Sequence, residues 1–195
     1  GSFMGTLEAS DLLKLCRKQL NELGSKTYSS DTQTREREVK NDLAACIEDS
    51  KTGQRPSVET SLHNLIKYAY IIHTHPTLIN GLLCSQQAES KTKALFPNRA
   101  LFIEYTDPGY TLFKKIEQEI HNYRQTHRRD PQIIFIENHG IFVGADAPEE
   151  IHQIYQEVMD KIQSEITIRP DISDYSIDQN ITRILPAIRM MVSQN

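Results

Sequence analysis

The stretch IIFIENHGIFVGADAPEEI, residues 133–151, gives the strongest indication of the fold class. It contains two short apolar runs rich in β-branched residues, Ile133–Ile136 and Ile141–Val143, which predict two strands. The tetrapeptide ENHG lies between them. Acidic residues then follow a proline, a pattern that favours the first turn of a helix, and we predict a helix from Pro148 to about Ile166.

The chain upstream of this stretch continues the alternation of strands and helices. Tyr70–His75 predicts a strand that Pro76 ends, and Thr77–Ser85 predicts the helix that follows. Leu101–Tyr105 predicts a short strand, and Tyr110–Thr126 an amphipathic helix. Strands that alternate with helices indicate an α/β or α+β domain.

Helices are also predicted towards both ends of the chain. Apolar residues at helical spacing predict a helix over Leu7–Leu23, and a second one over Arg35–Ile47. Pro56 is expected to open a third helix, and Ile181–Val192 to form the last one. The residues Asp107–Gly109 carry proline and glycine in the order that favours a type II turn.

Composition limits the classes of function. The chain has 195 residues, a net charge of −4 and a pI near 6.0, and these values argue against a broad nucleic-acid-binding surface. No apolar run is long enough to span a bilayer, and no signal peptide is visible. Cys16, Cys46 and Cys84 are widely spaced and form no CxxC pair, so neither a thiolate zinc site nor a disulfide framework is indicated, and a cytoplasmic location is expected. Cys84 is expected to be buried.

Two histidines end the strand predicted at residues 70–75. Residues two apart on a strand point to the same face, so His73 and His75 are expected to project together. They are either surface residues of a strand or two ligands of one metal ion. His139, followed by Gly140, is either a turn histidine or the third imidazole of a catalytic zinc site, and the glycine permits a close approach.

The segment RPSVETSLH, residues 55–63, adds a carboxylate and another imidazole. Glu59 is either a solvated helix residue or, if it lies near a metal, a ligand or general base. His63 either packs behind such a site or lies on the helix surface. The residues alone therefore indicate a candidate three-histidine metal site with one glutamate.

The order of the motifs is more informative than any one of them. RPSVETSLH, then IIHTHPTLINGLLCS, then IIFIENHGIFVGADAPEEI together resemble the class II aldolase/adducin family. The resemblance covers Leu7–Ile166 and is closest to the aldolase-like half of bifunctional rhamnulose-1-phosphate aldolase/short-chain dehydrogenase proteins. It implies a class II aldolase-like three-layer α/β/α fold with a central mixed or antiparallel sheet. The domain is expected at residues 7–170, with a C-terminal extension and helix at 171–195.

The resemblance also implies roles for the site residues. His73, His75 and His139 match the family's zinc ligands, and Glu59 matches the catalytic acid/base that can also bind zinc. The implied function is a zinc-dependent aldolase, with one Zn²⁺ per chain, that cleaves a phosphorylated ketose or related hydroxycarbonyl sugar by retro-aldol chemistry. A sugar-phosphate epimerase or dehydratase, and a non-catalytic adducin-like scaffold, are the alternatives.

Two family features have no clear match in the sequence. The family's glycine-rich phosphate loop has no match in the residues present, so either it lies upstream of them or the substrate is different, and the family's N-terminal strands are also expected to be missing. The family's proton-donating tyrosine has Tyr105 and Tyr110 as the nearest candidates, although each also fits a structural role beside the predicted turn. A small-molecule sugar phosphate is the expected partner, and by resemblance the protein is expected to be a homo-oligomer, with tetramers common.

Overall fold

The computed structural model describes residues 4–6, 8, 11–48, 53–167 and 179–192. The chain divides into two compact units, Gly1–Ser164 and Glu165–Asn195. The described part of the second unit contains one helix with Pro186 inside it. The predicted boundary between a domain at 7–170 and an extension at 171–195 stays a prediction.

A mixed four-stranded sheet lies at the centre of the first unit. The strands are β1 (Tyr70–Thr74), β2 (Ala100–Ile103), β3 (Ile133–Ile136) and β4 (Gly140–Ala145), in the order β1-β4-β3-β2. β4 is antiparallel to both of its neighbours, whereas β2 runs parallel to β3. This confirms the mixed form of the predicted sheet.

The described helices of the first unit are α1 (Arg17–Leu23), α2 (Thr32–Ala45), α3 (Thr60–Leu65), α4 (Thr77–Leu83), α5 (Ala88–Leu95), α6 (Tyr110–His127) and α7 (Pro148–Ser164), with a short 3₁₀ helix at Met4–Thr6. Helices α4 and α7 pack on one face of the sheet, and α3 and α6 on the other. The helix of the second unit is α8 (Gln179–Val192). None of them is both long and apolar enough to cross a membrane.

Side chains of β3 and β4 alternate between two separate apolar cores. Phe135 and Val143 pack with buried residues of α4 and α7, whereas Ile134 and Phe142 pack with those of α3 and α6. Every residue of both strands is buried, as their apolar sequence predicts. The first unit is therefore the expected three-layer α/β/α structure.

The N-terminal helix is shorter than predicted. A helix over Leu7–Leu23 is wrong for the described residues before Arg17, because Leu15 forms an antiparallel bridge with Ile47. The backbone N–H of Cys16 donates to the carbonyl of Cys46 over 2.8 Å, so this segment is extended. The apolar spacing matched a helix although the backbone pairs with another segment.

Other predictions also need correction. Helix α5 was not predicted, and the helix after Pro56 begins only at Thr60. Gly109 has φ 111°, as a glycine position allows, but its ψ of −148° excludes the type II turn. Cys84, expected to be buried, is exposed because it lies at the end of α4, just past the buried Leu83.

Candidate metal centre

Four predicted site residues from three separate parts of the chain meet at one end of the sheet. Glu59 occupies the N-cap position of α3, and His73 lies near the end of β1. His75 follows that strand, and His139 lies in the turn between β3 and β4. Each offers one ligand atom, and these four atoms all lie within 4.8 Å of one another.

One carboxylate oxygen joins two of the histidines. Oε1 of Glu59 lies 3.1 Å from Nε2 of His73 and 3.0 Å from Nε2 of His139. The side chains of Glu59, His73 and His139 are only 25%, 5% and 16% exposed. Hydrogen bonds from His139 and then His73 hold the pKa of Glu59 well below its usual range, although burial raises it. Glu59 is therefore a carboxylate held at the centre of the cluster rather than a solvated helix residue.

The orientation of His73 is fixed from two sides. Its Nδ1 lies 2.9 Å from the carbonyl oxygen of Ile141, which can only accept, so Nδ1–H donates this hydrogen bond. The ring also stacks on Phe142, its partner across the β1–β4 ladder, with centroids 3.9 Å apart and planes 13° apart. Such a carbonyl contact is the usual device that fixes a ligand histidine, and it directs Nε2 towards the cluster.

His75 completes the group of imidazoles and is its most exposed member. Its ring centroid lies 4.6 Å from that of His73 and 5.1 Å from that of His139. Desolvation, then His73 and His139, lower the pKa of His75. The neutral form, which is the form that binds a metal, is thus favoured at His75.

The turn that carries His139 is anchored to α4. Asn138 has a positive φ of 55°, and its N–H donates to the carbonyl of Leu83. The side-chain amide of Asn80 donates to the carbonyl of His139 over 3.1 Å. Sequence reasoning missed Asn80, although it lies within the HTHPTLIN segment that identified the two strand histidines.

Gly140 is required by the close packing of the cluster. A Cβ at this position would lie 2.5 Å from Cδ2 of His75 and 2.6 Å from the carbonyl oxygen of Thr74. It would also lie 3.4 Å from Cε1 of His73. The close approach expected after His139 is therefore confirmed, and the ring of His75 is what approaches.

Two more side chains support the end of β1. The hydroxyl of Thr74, the residue between the two strand histidines, lies 2.6 Å from the hydroxyl of Tyr155 on α7. His63 packs against the ring of Phe142 with centroids 5.2 Å apart, and burial lowers the pKa of His63. His63 thus lies behind the site rather than on an open helix surface, and Tyr155 was missed.

The two candidate tyrosines have hydrogen-bond partners elsewhere. Tyr105 is 56% exposed, and its hydroxyl lies 3.2 Å from the carboxylate of Asp107, to which it donates. The hydroxyl of Tyr110 donates to the carbonyl of Lys26 over 3.4 Å. Neither is among the four clustered residues, so their role as proton donors stays a prediction.

The chemistry of the four donors fits a divalent metal ion. Around a tetrahedral ion with bonds of about 2.1 Å, neighbouring ligand atoms lie roughly 3.4 Å apart, close to the spacings between Glu59 and its two histidines. Imidazole and carboxylate donors suit several first-row metals, including zinc. His73, His75, His139 and Glu59 are the residues that could hold such an ion.

Comparison with known proteins agrees with this geometry. Residues 1–163 match the family described as Class II Aldolase and Adducin N-terminal domain. The chain belongs to the class II aldolase/adducin family. The family predicted from the three motifs is confirmed, and with it the fold.

Individual relatives are distant. The uncharacterized oxidoreductase YuxG of Bacillus subtilis (strain 168) is 28% identical over 164 residues, which are 78% of this chain but only 23% of that relative. The N-terminal class II aldolase domain of a conserved protein from Thermoplasma acidophilum has a TM-score of 0.67 at 18% identity, covering 84% of this chain and 70% of that one. An aldolase II superfamily protein from Pseudomonas syringae has a TM-score of 0.48 at 14% identity, covering 78% and 69%.

Proposed function

We propose that this chain carries the active site of a metal-dependent class II aldolase, a lyase that cleaves a phosphorylated ketose or related hydroxycarbonyl sugar. The observation that carries the proposal is the shared oxygen of Glu59, within hydrogen-bond distance of His73 and His139. Family membership supports it. Three imidazoles and one carboxylate within 4.8 Å of one another favour zinc, with one ion per chain.

A divalent ion at this position would supply Lewis-acid polarisation of a substrate carbonyl. The chain supplies the ligands and their orientation. His73 is held by the Ile141 carbonyl, His139 by the Asn138 turn, and His75 by its contact with Gly140. Because these supports are backbone and packing contacts, the ligands are positioned before anything binds.

Glu59 is the acid/base of the proposed reaction. Hydrogen bonds from His139 and His73 lower its pKa, so Glu59 is a charged carboxylate, and it becomes a stronger base once those hydrogen bonds are released. Retro-aldol cleavage leaves a carbon that must gain a proton, and the reverse reaction removes one from it. His73 and His139 would hold the ion through the Nε2 atoms that now contact Glu59, which would leave Oε1 of Glu59 free to move the proton.

The name of the Bacillus relative does not change this proposal. That protein is named an oxidoreductase, but the match covers 23% of its length. In this chain Glu59 and the three histidines offer metal ligands and an acid/base. We therefore propose carbon–carbon lyase chemistry, not hydride transfer, for the matched part.

The wider setting of the site is also a proposal. By resemblance to the family we propose a homo-oligomer such as a tetramer, with Tyr105, which is 56% exposed, or Tyr110 as the proton donor. Three widely spaced cysteines without a CxxC pair support a cytoplasmic location.

Glu59→Gln tests the proposal. We expect this variant to keep the fold but to cleave ketose 1-phosphates about 10²–10⁴-fold more slowly, the usual contribution of general acid–base catalysis. Glu104→Gln is the matched control, because Glu104 is an exposed carboxylate outside the cluster whose ion pair with Lys115 is as long as 4.0 Å. Cleavage would be followed by coupled detection of the triose phosphate released. Parent-like turnover in Glu59→Gln, or a zinc-loaded parent that cleaves no ketose phosphate, would contradict the proposal.

A further inference from the structure

Two cysteines outside the metal centre are joined by a backbone hydrogen bond. The antiparallel bridge between Leu15 and Ile47 places Cys16 opposite Cys46. The N–H of Cys16 donates to the carbonyl of Cys46 over 2.8 Å. A second backbone hydrogen bond, 3.0 Å from Glu48 to Lys14, fixes the same register. Thirty positions of sequence separate the two cysteines, so only the fold reveals the pair.

The backbone contact brings the two cysteines within reach of a disulfide. Cys16 and Cys46 directly flank the Leu15–Ile47 bridge, and residues opposite each other in antiparallel segments have Cα atoms about 4.5–5.5 Å apart. One hydrogen bond joins their backbones, because the N–H of Cys46 donates to the carbonyl of Leu43 at the end of α2. A disulfide needs Cα atoms roughly 4.4–6.8 Å apart. Burial, and then the nearby Cys16, raise the pKa of Cys46, so the two thiols are close enough to interact electrostatically.

The two thiols differ in access to solvent. Cys46 is 2% exposed and lies in the small core formed by α1 and α2 with Leu20, Val39 and Leu43. Cys16 is partly exposed, at the N-cap position of α1. A dissolved oxidant therefore reaches Cys16 first, while Cys46 is protected. The thiol of Cys46 now points to the carbonyl of Asp42, 3.3 Å away, and needs a side-chain rotation to reach Cys16.

We propose that Cys16 and Cys46 form a site of reversible thiol oxidation, with a hydroperoxide as the oxidant. The thiolate of Cys16 attacks the peroxide, forms a sulfenic acid and releases hydroxide, which takes up a proton to become water. The sulfur of Cys46 then attacks the sulfenic sulfur, a second water leaves, and the disulfide forms. In total, two thiols and one hydrogen peroxide give one disulfide and two waters.

The bond would cross-link the start of α1 to the end of α2. It closes a loop that contains both helices and the Asp31 cap of α2, whose carboxylate accepts from the N–H of Thr34 over 2.9 Å. Closing such a loop restricts the unfolded chain, so the oxidised protein resists heat better than the reduced one. This inference does not depend on the proposed lyase activity.

The test uses the full chain, reduced, freed of reductant and treated with hydrogen peroxide before remaining thiols are alkylated. We expect the oxidised chain to be lighter by two hydrogens, apart from the added alkyl groups. Digestion should yield a peptide pair that joins Cys16 to Cys46. The unfolding temperature should rise, and dithiothreitol should reverse this rise. Cys84 is the internal control, because it is an exposed thiol that is expected to stay outside the cross-link.

Matched variants make the result decisive. Cys16→Ser should abolish the linked peptides and the reversible temperature rise, whereas Cys84→Ser should preserve both. Cys16 is only partly buried, so its replacement by serine is expected to leave the fold intact. Oxidation of Cys84 alone, or sulfinic acid at Cys16 without a link to Cys46, would overturn the proposal.

Discussion

Replacing Gly140 by alanine should damage the metal centre while the sheet remains. The new Cβ would lie 2.5 Å from Cδ2 of His75, and ordinary van der Waals contact begins near 3.4 Å. The His75 ring, or the strand that carries it, must therefore move by roughly 0.9 Å. The carbonyl of Thr74, 2.6 Å from the same Cβ, cannot rotate away because it belongs to the backbone.

The size of this movement sets the expected losses. Metal–ligand distances tolerate only about ±0.2 Å, so a shift of this size removes His75 from its position in the site. We expect zinc affinity to fall by about 100-fold, which is the upper end of the loss seen when the groups that orient metal ligands are disturbed. Overpacking should also lower the free energy of unfolding by about 1–3 kcal/mol.

Gly81→Ala is the matched control. Gly81 lies within α4, and a Cβ there would meet nothing within 4 Å. Alanine should stabilise this helix by about 0.5–1 kcal/mol and leave metal binding unchanged. Zinc affinity is measured by competition with a chromophoric chelator, and stability by urea unfolding of the metal-free proteins. If Gly140→Ala binds zinc as tightly as the parent, the reasoning on the close approach at the site is refuted.

Two further predictions concern contacts around the sheet. Tyr155→Phe removes the 2.6 Å hydrogen bond to Thr74. We expect the free energy of unfolding, measured in urea, to fall by about 1–3 kcal/mol, and zinc binding, measured by chelator competition, to weaken. An unchanged zinc affinity would show that this hydrogen bond does not position the histidines. Burial opposes ionisation of Asp130, but hydrogen bonds from Arg124 and from the N–H of Lys67 outweigh it and lower the pKa of Asp130 in the folded protein. The charged carboxylate therefore stabilises the fold at pH values above its unfolded-state pKa of about 4. This stabilisation is lost as the pH falls through the lower pKa of the folded protein. Asp130→Asn should therefore have a free energy of unfolding about 1.5–3 kcal/mol lower than that of the parent at pH 7. This difference should shrink at acidic pH, and a difference that does not change with pH would show that the charge of Asp130 is not its cause.

The sequence predicts the central strands well and some helices poorly, for physical reasons. β3 and β4 are buried on both faces, so their apolar runs are unambiguous. Helix α5 was missed because its buried residues are Ala88 and Thr92, which give no apolar periodicity. The helix over Leu7–Leu23 was overextended because a leucine pattern cannot show that Leu15 pairs with the distant Ile47.

The candidate site was predictable in membership but not in geometry. The HxH pattern, the His139–Gly140 pair and Glu59 in RPSVETSLH are local signals, and family resemblance assigned Glu59 its acid/base role. That one oxygen of Glu59 contacts both His73 and His139 depends on how three elements pack, and no local pattern encodes it. Asn80, Phe142 and Tyr155 support the histidines through tertiary contacts, so they have no spacing of their own in the sequence.

Metal content per chain tests the central claim most directly. Protein purified without a histidine tag would be loaded with zinc, passed through gel filtration and measured by plasma mass spectrometry. The His73→Ala/His75→Ala double variant would be measured in the same way. His152→Ala is the control, because His152 lies on α7 and is not one of the four clustered residues. We predict close to one zinc per chain in the parent and the control, and none in the double variant. No zinc in the parent, or equal zinc in the parent and the double variant, would contradict a metal centre at these four residues.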